Sequence, residues 1–355
     1  MQTALADRIY SARRMSGLSL QELADKMERF GMPISRQAIH QFEQDKSNPE
    51  AGTLLALAKV LNVRLEYFYR ETNLLLENVE YRKRVKLSKT DEVAIHEKAR
   101  DVLERYFEIE ELLDSSMTFA NPIIDFQINS PEDIERAAEL IREKWQLGTD
   151  PIPGVMEMLE ERGIKVLEIS ASESFQGLCA YVNNTPIIVV NENDNVVRRR
   201  FTALHELAHI VLRFGTDDLD EEKYCHHFAG ALLFPAKSVV ATFSEKRKKI
   251  SLAELMQAKA YYGVSIQAIL ARLKILNVIA DSVYRGFIIW MTKAGYRKKE
   301  PGQYPGEEKA RRFSQLLYRA AAEEVISLSK AASLNNQSLT EFRRTLAGIG
   351  EGTLS

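Results

Sequence analysis

The chain has 355 residues, of which 45% are hydrophobic and 28% charged, and its formal net charge is −2 at pH 7. This composition excludes a disordered or fibrous protein, and the near-neutral charge excludes a protein that coats a polyanion along its whole surface. Because a domain typically has roughly 100 to 200 residues, a chain of this length is predicted to contain two or three domains. No apolar run reaches the ~18 residues that span a bilayer, and two cysteines are too few for a disulfide framework. We therefore expect a cytoplasmic protein with no membrane partner.

Residues 1–72 are predicted to form one small all-α domain, because turn signals at Gly17, at 31–33 and at 48–49 separate short helices. Ser19 and Glu22 have the spacing of a capping box, which opens one helix. Ser35 opens the next helix, whose first turns carry polar side chains. Arginine and glutamine there can pair with purine edges in the major groove of double-stranded DNA. The candidate DNA-binding residues are Ser35, Arg36, Gln37, His40 and Gln41, and the candidate phosphate contacts are Arg13, Arg14 and Lys46.

The segments RIYSARRMSGLSLQELADKM and SRQAIHQFEQDKSNPEAGTLLALAKVLNV closely resemble the xenobiotic-response-element (XRE) helix-turn-helix family, whose members include phage-type repressors. The resemblance covers residues 5–70. It implies a transcription regulator that binds operator DNA. One departure is the stretch ERFGMP (28–33), which is longer than the usual turn between the two helices.

Residues 73–130 are predicted to be a linker and a helical connector. Within them a helix from Thr90 to Leu113 carries apolar or small residues whose spacing alternates between four and three, at Ile95, Ala99, Val102, Tyr106, Ile109 and Leu113. This spacing is typical of a coiled-coil seam, but it is too short to identify one. Packing within the same chain is the favoured interpretation, and a homodimer seam is the alternative.

Residues 131–280 are predicted to form an α+β domain with a small sheet. Helices are expected at 131–146, 155–162, 201–214, 221–234, 252–261 and 265–276, and strands at 164–169 and 178–190, with a hairpin turn at Asn183-Asn184. The run PIIVVN (186–191) is either an edge strand that holds an extended substrate or an ordinary core strand.

Residues 281–355 are predicted to be a C-terminal helical region of unknown role. A strand is expected at FIIWM (287–291), followed by a loop rich in Gly and Pro (300–306) and a long helix (307–334). The whole chain is thus predicted to be α+β and predominantly α.

His205, Glu206 and His209 form an H-E-x-x-H motif on a helix. Two histidines four residues apart project from one helix face and can share a zinc ion. Glu206 lies beside them, where a carboxylate can take a proton from an attacking water and return it to a leaving amine. A catalytic zinc needs a third protein ligand and one open position. The candidates for that ligand are Glu221, Glu222, Cys225, His226 and His227.

The segments RRRFTALHELAHIVL and EEKYCHHFAGALLFP resemble the ImmA/IrrE family of zinc peptidases, whose second motif has the form E-x-x-A-N-x-F-A-x-x-L-L-x-P. The resemblance implies a zincin-like fold over residues 131–276, with Zn²⁺ held by His205, His209 and Glu222 and with Glu206 as the catalytic base. Cys225 replaces the motif's Ala, and a structural role is favoured for it. His226 replaces the motif's Asn, and it could support the site, bind the metal or lie at the surface. His227 is expected at the surface or in the core.

These resemblances imply a DNA-binding transcription regulator with a zinc-dependent endopeptidase that cleaves a repressor-type or antitoxin-type protein. Having both domains in one chain permits cleavage of the protein itself or of an operon partner. The alternative is a non-catalytic DNA-binding regulator, or the antitoxin of a toxin-antitoxin pair, that uses the peptidase fold as a sensor or a platform for a partner such as a toxin. A purely structural zinc domain is disfavoured, because two His and one Glu leave a coordination position open.

Overall fold

The structure is a computed structural model that describes residues 4–70, 80–81, 87–215, 219–297 and 299–348. Helices dominate these residues. The α-helices are α1 Ala4–Met15, α2 Leu20–Arg29, α3 Arg36–Glu43, α4 Ala51–Val60, α5 Lys89–Leu112, α6 Pro131–Lys144, α7 Val155–Glu160, α8 Val196–Val211, α9 Glu221–Leu233, α10 Ala236–Phe243, α11 Leu252–Tyr262, α12 Ile266–Ile275, α13 Asp281–Lys293, α14 Arg312–Ala322, α15 Leu328–Leu334 and α16 Leu339–Leu346. The strands are β1 Glu80–Tyr81, β2 Gln127–Ile128, β3 Lys165–Ile169, β4 Gly177–Val182, β5 Thr185–Asn191 and β6 Arg213–Phe214, and a 3₁₀ helix spans Leu65–Tyr69.

The chain divides into two compact units. Unit 1 comprises Met1–Glu77, Val85–Met117 and Arg311–Ser355, and unit 2 comprises Asn78–Arg84 and Thr118–Ala310. The predicted class, predominantly α with a small sheet, is confirmed. The four-segment domain division made from the sequence stays a prediction.

In unit 1, the first four helices and the 3₁₀ helix enclose an apolar core that includes Ile9, Leu23, Ile39 and Leu57. The predicted capping box is present, with the Ser19 hydroxyl accepting from the amide of Glu22 and the Glu22 carboxylate accepting from the amide of Ser19. The Ser35 hydroxyl likewise accepts from the amide of Ala38 at the start of α3. Local sequence signals therefore set where α2 and α3 begin.

The structure removes Arg13 from the candidate phosphate contacts. Its side chain is 5% exposed and makes a paired ion contact with Glu43, at 2.6 and 2.8 Å. A buried guanidinium that is paired in this way joins α1 to α3 and does not face a ligand. Arg13 is therefore part of the packing of unit 1.

Helix α5 packs within its own chain, as the favoured interpretation expects. Ile95, Ala99, Tyr106 and Ile109 of the predicted seam are buried, and α5 contacts α1 and α14. Arg105 adds a polar link, donating from Nη1 to the carbonyl of Leu334 at 2.7 Å.

The predicted long helix over 307–334 is wrong, because the structure has two shorter helices, α14 and α15, in that range. α14 ends before Glu324, which has a left-handed backbone with φ of 57°. Ser327 then caps α15, its hydroxyl accepting from the amide of Lys330. A new N-cap after a left-handed residue ends one helix and starts another.

In unit 2, the sheet has the strand order β1-β4-β5-β3. β5 pairs antiparallel with β4 and parallel with β3, and the predicted hairpin turn is formed by Asn183 and Asn184 with φ of 49° and 65°. The edge-strand interpretation of residues 186–191 is wrong, because β5 has a partner on each side. The core-strand alternative holds.

The strand predicted at 287–291 is also wrong, because these residues belong to helix α13. The β-branched and aromatic residues of FIIWM favour a strand locally. The wider window carries a helical period instead, since Val283, Tyr284, Phe287, Ile288 and Met291 pack against the core of unit 2. Packing of this face outweighs local propensity.

Candidate metal centre and DNA-recognition surface

Helix α8 presents His205 and His209 on one face. The helix begins after Asn195, whose side chain accepts from the amide of Arg198, and it is buried against β4, β5 and α9. The Nε2 atoms of His205 and His209 lie 3.3 Å apart. Burial lowers the pKa of His205 to about 4, with smaller contributions from His226 and His209. The neutral imidazole that results is the form that binds a metal.

The carboxylate of Glu222, at the start of α9, contacts both histidines with one oxygen each, and the three side chains form a donor triangle. Its Oε2 lies 3.3 Å from Nε2 of His205, and its Oε1 lies 3.4 Å from Nε2 of His209. Tetrahedral ligands held at about 2.1 Å from zinc are separated by about 3.4 Å. The three residues therefore fit a zinc ion in both spacing and donor chemistry.

Glu206 points from α8 toward the sheet. Its side chain is buried, and Cys179 of β4 hydrogen-bonds to the carboxylate from both its backbone and its side chain. The pKa of Glu206 is raised to about 7, chiefly by burial and also by the charge of Glu222, although the hydrogen bonds from Cys179 act to lower it. A carboxyl group whose pKa lies near neutrality can both accept and return a proton.

His226 also lies at this centre. Its ring is 4.4 Å from that of His205, centroid to centroid, and it stacks on Phe201 at 5.8 Å. Donor atoms of His205, Glu222 and His226 all lie within 4.8 Å of one another. The sequence signal for this placement is the spacing of four between Glu222 and His226, which puts both on one face of α9. The structure thus places His226 beside the candidate ligands, with its side chain exposed.

Cys225 and His227 hold α9 in position. Cys225 is fully buried, with its Sγ 3.4 Å from Nδ1 of His209. His227 is also buried and contacts Glu135 of α6 at 2.5 Å, and Glu135 in turn accepts from Arg272 of α12 at 3.0 Å. The contact of Cys225 with a candidate ligand and the bridge from His227 to Glu135 both depend on residues distant in the chain, so sequence reasoning missed them.

The start of β4 approaches α8 at Gly177. A Cβ atom added there would meet Cγ2 of Thr202 at 2.4 Å and the carbonyl oxygen of Val189 at 3.0 Å. The glycine therefore permits the close packing that puts Cys179 against Glu206.

Replacing Gly177 with alanine is expected to destabilise unit 2 by about 1–3 kcal/mol, because the added methyl overpacks the junction of α8 and β4. Both tryptophans of the chain, Trp145 and Trp290, lie in unit 2, so urea unfolding followed by tryptophan fluorescence reports on this unit. Gly286→Ala is the matched control, since a Cβ there meets nothing within 4 Å and alanine favours a helix. Equal stability of the two variants would contradict the packing argument.

In unit 1, the candidate DNA-binding residues lie together at one exposed surface. A shallow cavity of about 570 Å³ is lined by Ser35, Arg36, Gln37, His40, Gln41 and Lys46. All six are exposed. The apolar side of α3 is turned inward, with Ile39 fully buried.

Comparison with known families finds one match in each of two parts of the chain. Residues 9–68 match the helix-turn-helix family, and residues 159–274 match the peptidase M78 family, described as the IrrE N-terminal-like domain. The resemblance to an XRE-type regulator fused to an ImmA/IrrE-type domain is thereby confirmed, and the peptidase family implies a metal ion. No curated protein matches the chain. Among the described residues, none of the helices has the length and apolar character needed to cross a membrane.

Proposed function

We propose that this protein is a DNA-binding transcription regulator with a zinc-dependent endopeptidase activity, and that it cleaves a repressor-type or antitoxin-type protein. The observation that carries the proposal is the donor triangle of His205, His209 and Glu222, whose nearest donor atoms lie 3.3–3.4 Å apart, beside the buried Glu206. The helix-turn-helix domain in the same chain supports the regulatory part.

In this proposal, His205, His209 and Glu222 hold the zinc ion. When bound, zinc polarises the peptide carbonyl and activates the attacking water. Glu206 takes the proton of that water and delivers it to the nitrogen of the leaving amine. The Cys179 hydrogen bonds orient the Glu206 carboxylate for both transfers.

The proposed substrate class follows from the resemblance to the ImmA/IrrE family. This chain carries its own domain of the repressor type, so the protein is itself a candidate substrate, within one chain or between two copies. The proposed nucleic-acid ligand is a double-stranded operator.

Elemental analysis of the purified protein tests the metal centre. We expect about one zinc per chain, as purified or after zinc is supplied, and loss or weakening of binding in His205→Ala and in Glu222→Ala, because removing one of three protein ligands leaves an incomplete site. Glu221→Ala, next to Glu222, is the matched control and should retain zinc. A wild-type protein that holds no metal even after supplementation would contradict the enzymatic proposal.

Replacing Gln37 with alanine is expected to weaken binding to the selected operator by about ten-fold or more, because a side chain that pairs with a base edge is worth about 1–3 kcal/mol. The operator is first selected from random duplex DNA, and affinity is then measured by fluorescence anisotropy at fixed salt. Gln315→Ala, an exposed glutamine on α14, is the control. Unchanged affinity in Gln37→Ala would remove Gln37 from the proposed interface.

The position of His226 favours a second candidate, a regulator with a non-catalytic zinc centre. A fourth protein donor near His205 and Glu222 would close the coordination, and closed sites are structural. Replacing His226 with asparagine distinguishes the two candidates, since asparagine is the residue of the family motif.

If the protein is an endopeptidase, we expect His226→Asn to bind zinc with an affinity within about ten-fold of that of the wild type, because the three ligands are intact. Competition with a chelator measures this affinity. A loss far beyond about a hundred-fold exceeds the effect of removing a supporting contact. Such a loss would support the closed, non-catalytic centre.

A further inference from the structure

Residues 299–304, a segment that follows α13, form a wall in unit 2. The Glu300 carboxylate accepts from the amides of Ile266 and Gln267, at 2.8 and 3.0 Å, and so caps α12. Further along, the ring of Tyr304 lies under the guanidinium of Arg200 at 4.8 Å. These contacts hold the segment in place at both points.

Between this wall and α8 lies a cavity of about 520 Å³. Gln176, Phe201 and Thr202 are among the residues that line it. Phe201 precedes His205 by one helical turn and stacks on His226. A polypeptide bound at the metal centre could therefore place a side chain in this cavity.

Basic side chains outnumber acidic ones in the lining of the cavity, and one of them, Arg198, pairs with Asp194 at 3.4 Å. Its lining carries four basic side chains, Arg198, Lys259, Arg297 and Lys299, and one acidic side chain, Glu300. The Glu300 oxygens already accept from two backbone amides and from Lys259. Arg297 and Lys299 are exposed and form no ion pair with any residue that the structure describes. These two cations thus have no counter-ion among the described residues, and they line a space large enough for a peptide side chain.

We infer that this cavity is a specificity subsite that binds an acidic side chain, Asp or Glu, of the polypeptide substrate, with Arg297 and Lys299 as its charged contacts. The role of this subsite in cleavage rests on the proposed peptidase function. The cationic lining attracts carboxylates and disfavours basic side chains.

Binding is measured first, without catalysis. The full-length Glu206→Gln protein, loaded with zinc, is titrated into fluorescein-labelled hexaglutamate and hexaglutamine and followed by anisotropy. We expect hexaglutamate to bind about ten-fold more tightly, in a manner that weakens as salt is raised. The double substitution Arg297→Glu and Lys299→Glu should remove this preference.

A control of equal charge is the double substitution Lys248→Glu and Lys249→Glu, because both lysines are exposed in unit 2 and lie outside the cavity. This control should keep the preference for hexaglutamate. Equal binding of the two peptides would overturn the inference. So would an equal loss in both double variants, because the effect would then come from overall charge.

Cleavage separates this inference from the proposed function. Wild-type protein with zinc is incubated with a peptide library of random sequence, and the cut sites are read by mass spectrometry. Acidic residues enriched at one position from the cut, and lost in Arg297→Glu/Lys299→Glu, support both proposals. Cutting with no acidic preference overturns the subsite alone. If nothing is cut while hexaglutamate binding still depends on Arg297 and Lys299, the endopeptidase proposal fails and the cavity stands as a carboxylate-binding site.

Discussion

Replacing Glu206 with glutamine is expected to lower the rate of peptide-bond cleavage by about 10²–10⁴-fold, because general-base catalysis contributes that much. Zinc content should stay at the wild-type level, since the side chain of Glu206 turns toward Cys179 and lies outside the donor triangle. Glutamine has the same shape, and its carbonyl oxygen can still accept the hydrogen bonds from Cys179. The substitution therefore removes the base and keeps the packing.

Cleavage of the random peptide library and elemental analysis measure the two quantities on the same samples. Glu192→Gln, an exposed glutamate of unit 2, is the matched control and should cleave as the wild type does. Full activity in Glu206→Gln would exclude Glu206 as the base. Loss of zinc in that variant would instead assign it to the metal centre.

Replacing Glu308 with glutamine is expected to destabilise unit 2 by on the order of 3–5 kcal/mol, because it leaves a buried guanidinium without its counter-ion. Arg200 and Glu308 are both fully buried, and their charged atoms lie 2.6 Å apart. The second carboxylate oxygen of Glu308 accepts from the amide of Met156 at 2.6 Å, at the start of α7. One side chain thus ties the segment before α14 to α7 and α8.

The unfolding midpoint in urea, followed by tryptophan fluorescence, measures this loss in unit 2. Glu245→Gln, at an exposed position of the same unit, should leave the midpoint unchanged. The double variant Arg200→Met with Glu308→Leu should lose less stability than Glu308→Gln, because an apolar pair carries no uncompensated buried charge. A wild-type midpoint in Glu308→Gln would show that the guanidinium finds water or another partner.

We expect the loss of the Arg200–Glu308 ion pair to affect the candidate metal centre as well, because Arg200 precedes His205 by little more than one turn of α8. Loosening the segment around Glu308 also frees Tyr304, which stacks on Arg200. The residues that line the cationic cavity are therefore supported by the same ion pair.

The features that the sequence alone determined are those encoded over a few neighbouring residues. The spacing of four between His205 and His209 puts both on one face of any helix that contains them. Capping residues such as Ser19 and Ser35 likewise set helix starts through bonds that reach three residues. These signals predict the helix-turn-helix and the helix that carries the H-E-x-x-H motif. Together with the family motif, they also indicate Glu222 as the candidate third ligand.

Only the tertiary structure decided features that depend on partners distant in the chain. The burial of Arg13 requires Glu43, 30 residues later, and the path of the segment before α14 requires the pair Arg200 and Glu308, 108 residues apart. Residues 287–291 form part of a helix and not the predicted strand, because the apolar side chains of that helix pack against the core of unit 2. The intrinsic preference of a residue for helix or strand contributes less than about 1 kcal/mol to stability. Burying a large apolar side chain contributes more than this, and breaking a buried ion pair costs several times as much. Where the two conflict, the long-range partner determines the structure, and a single sequence does not reveal which partner that is.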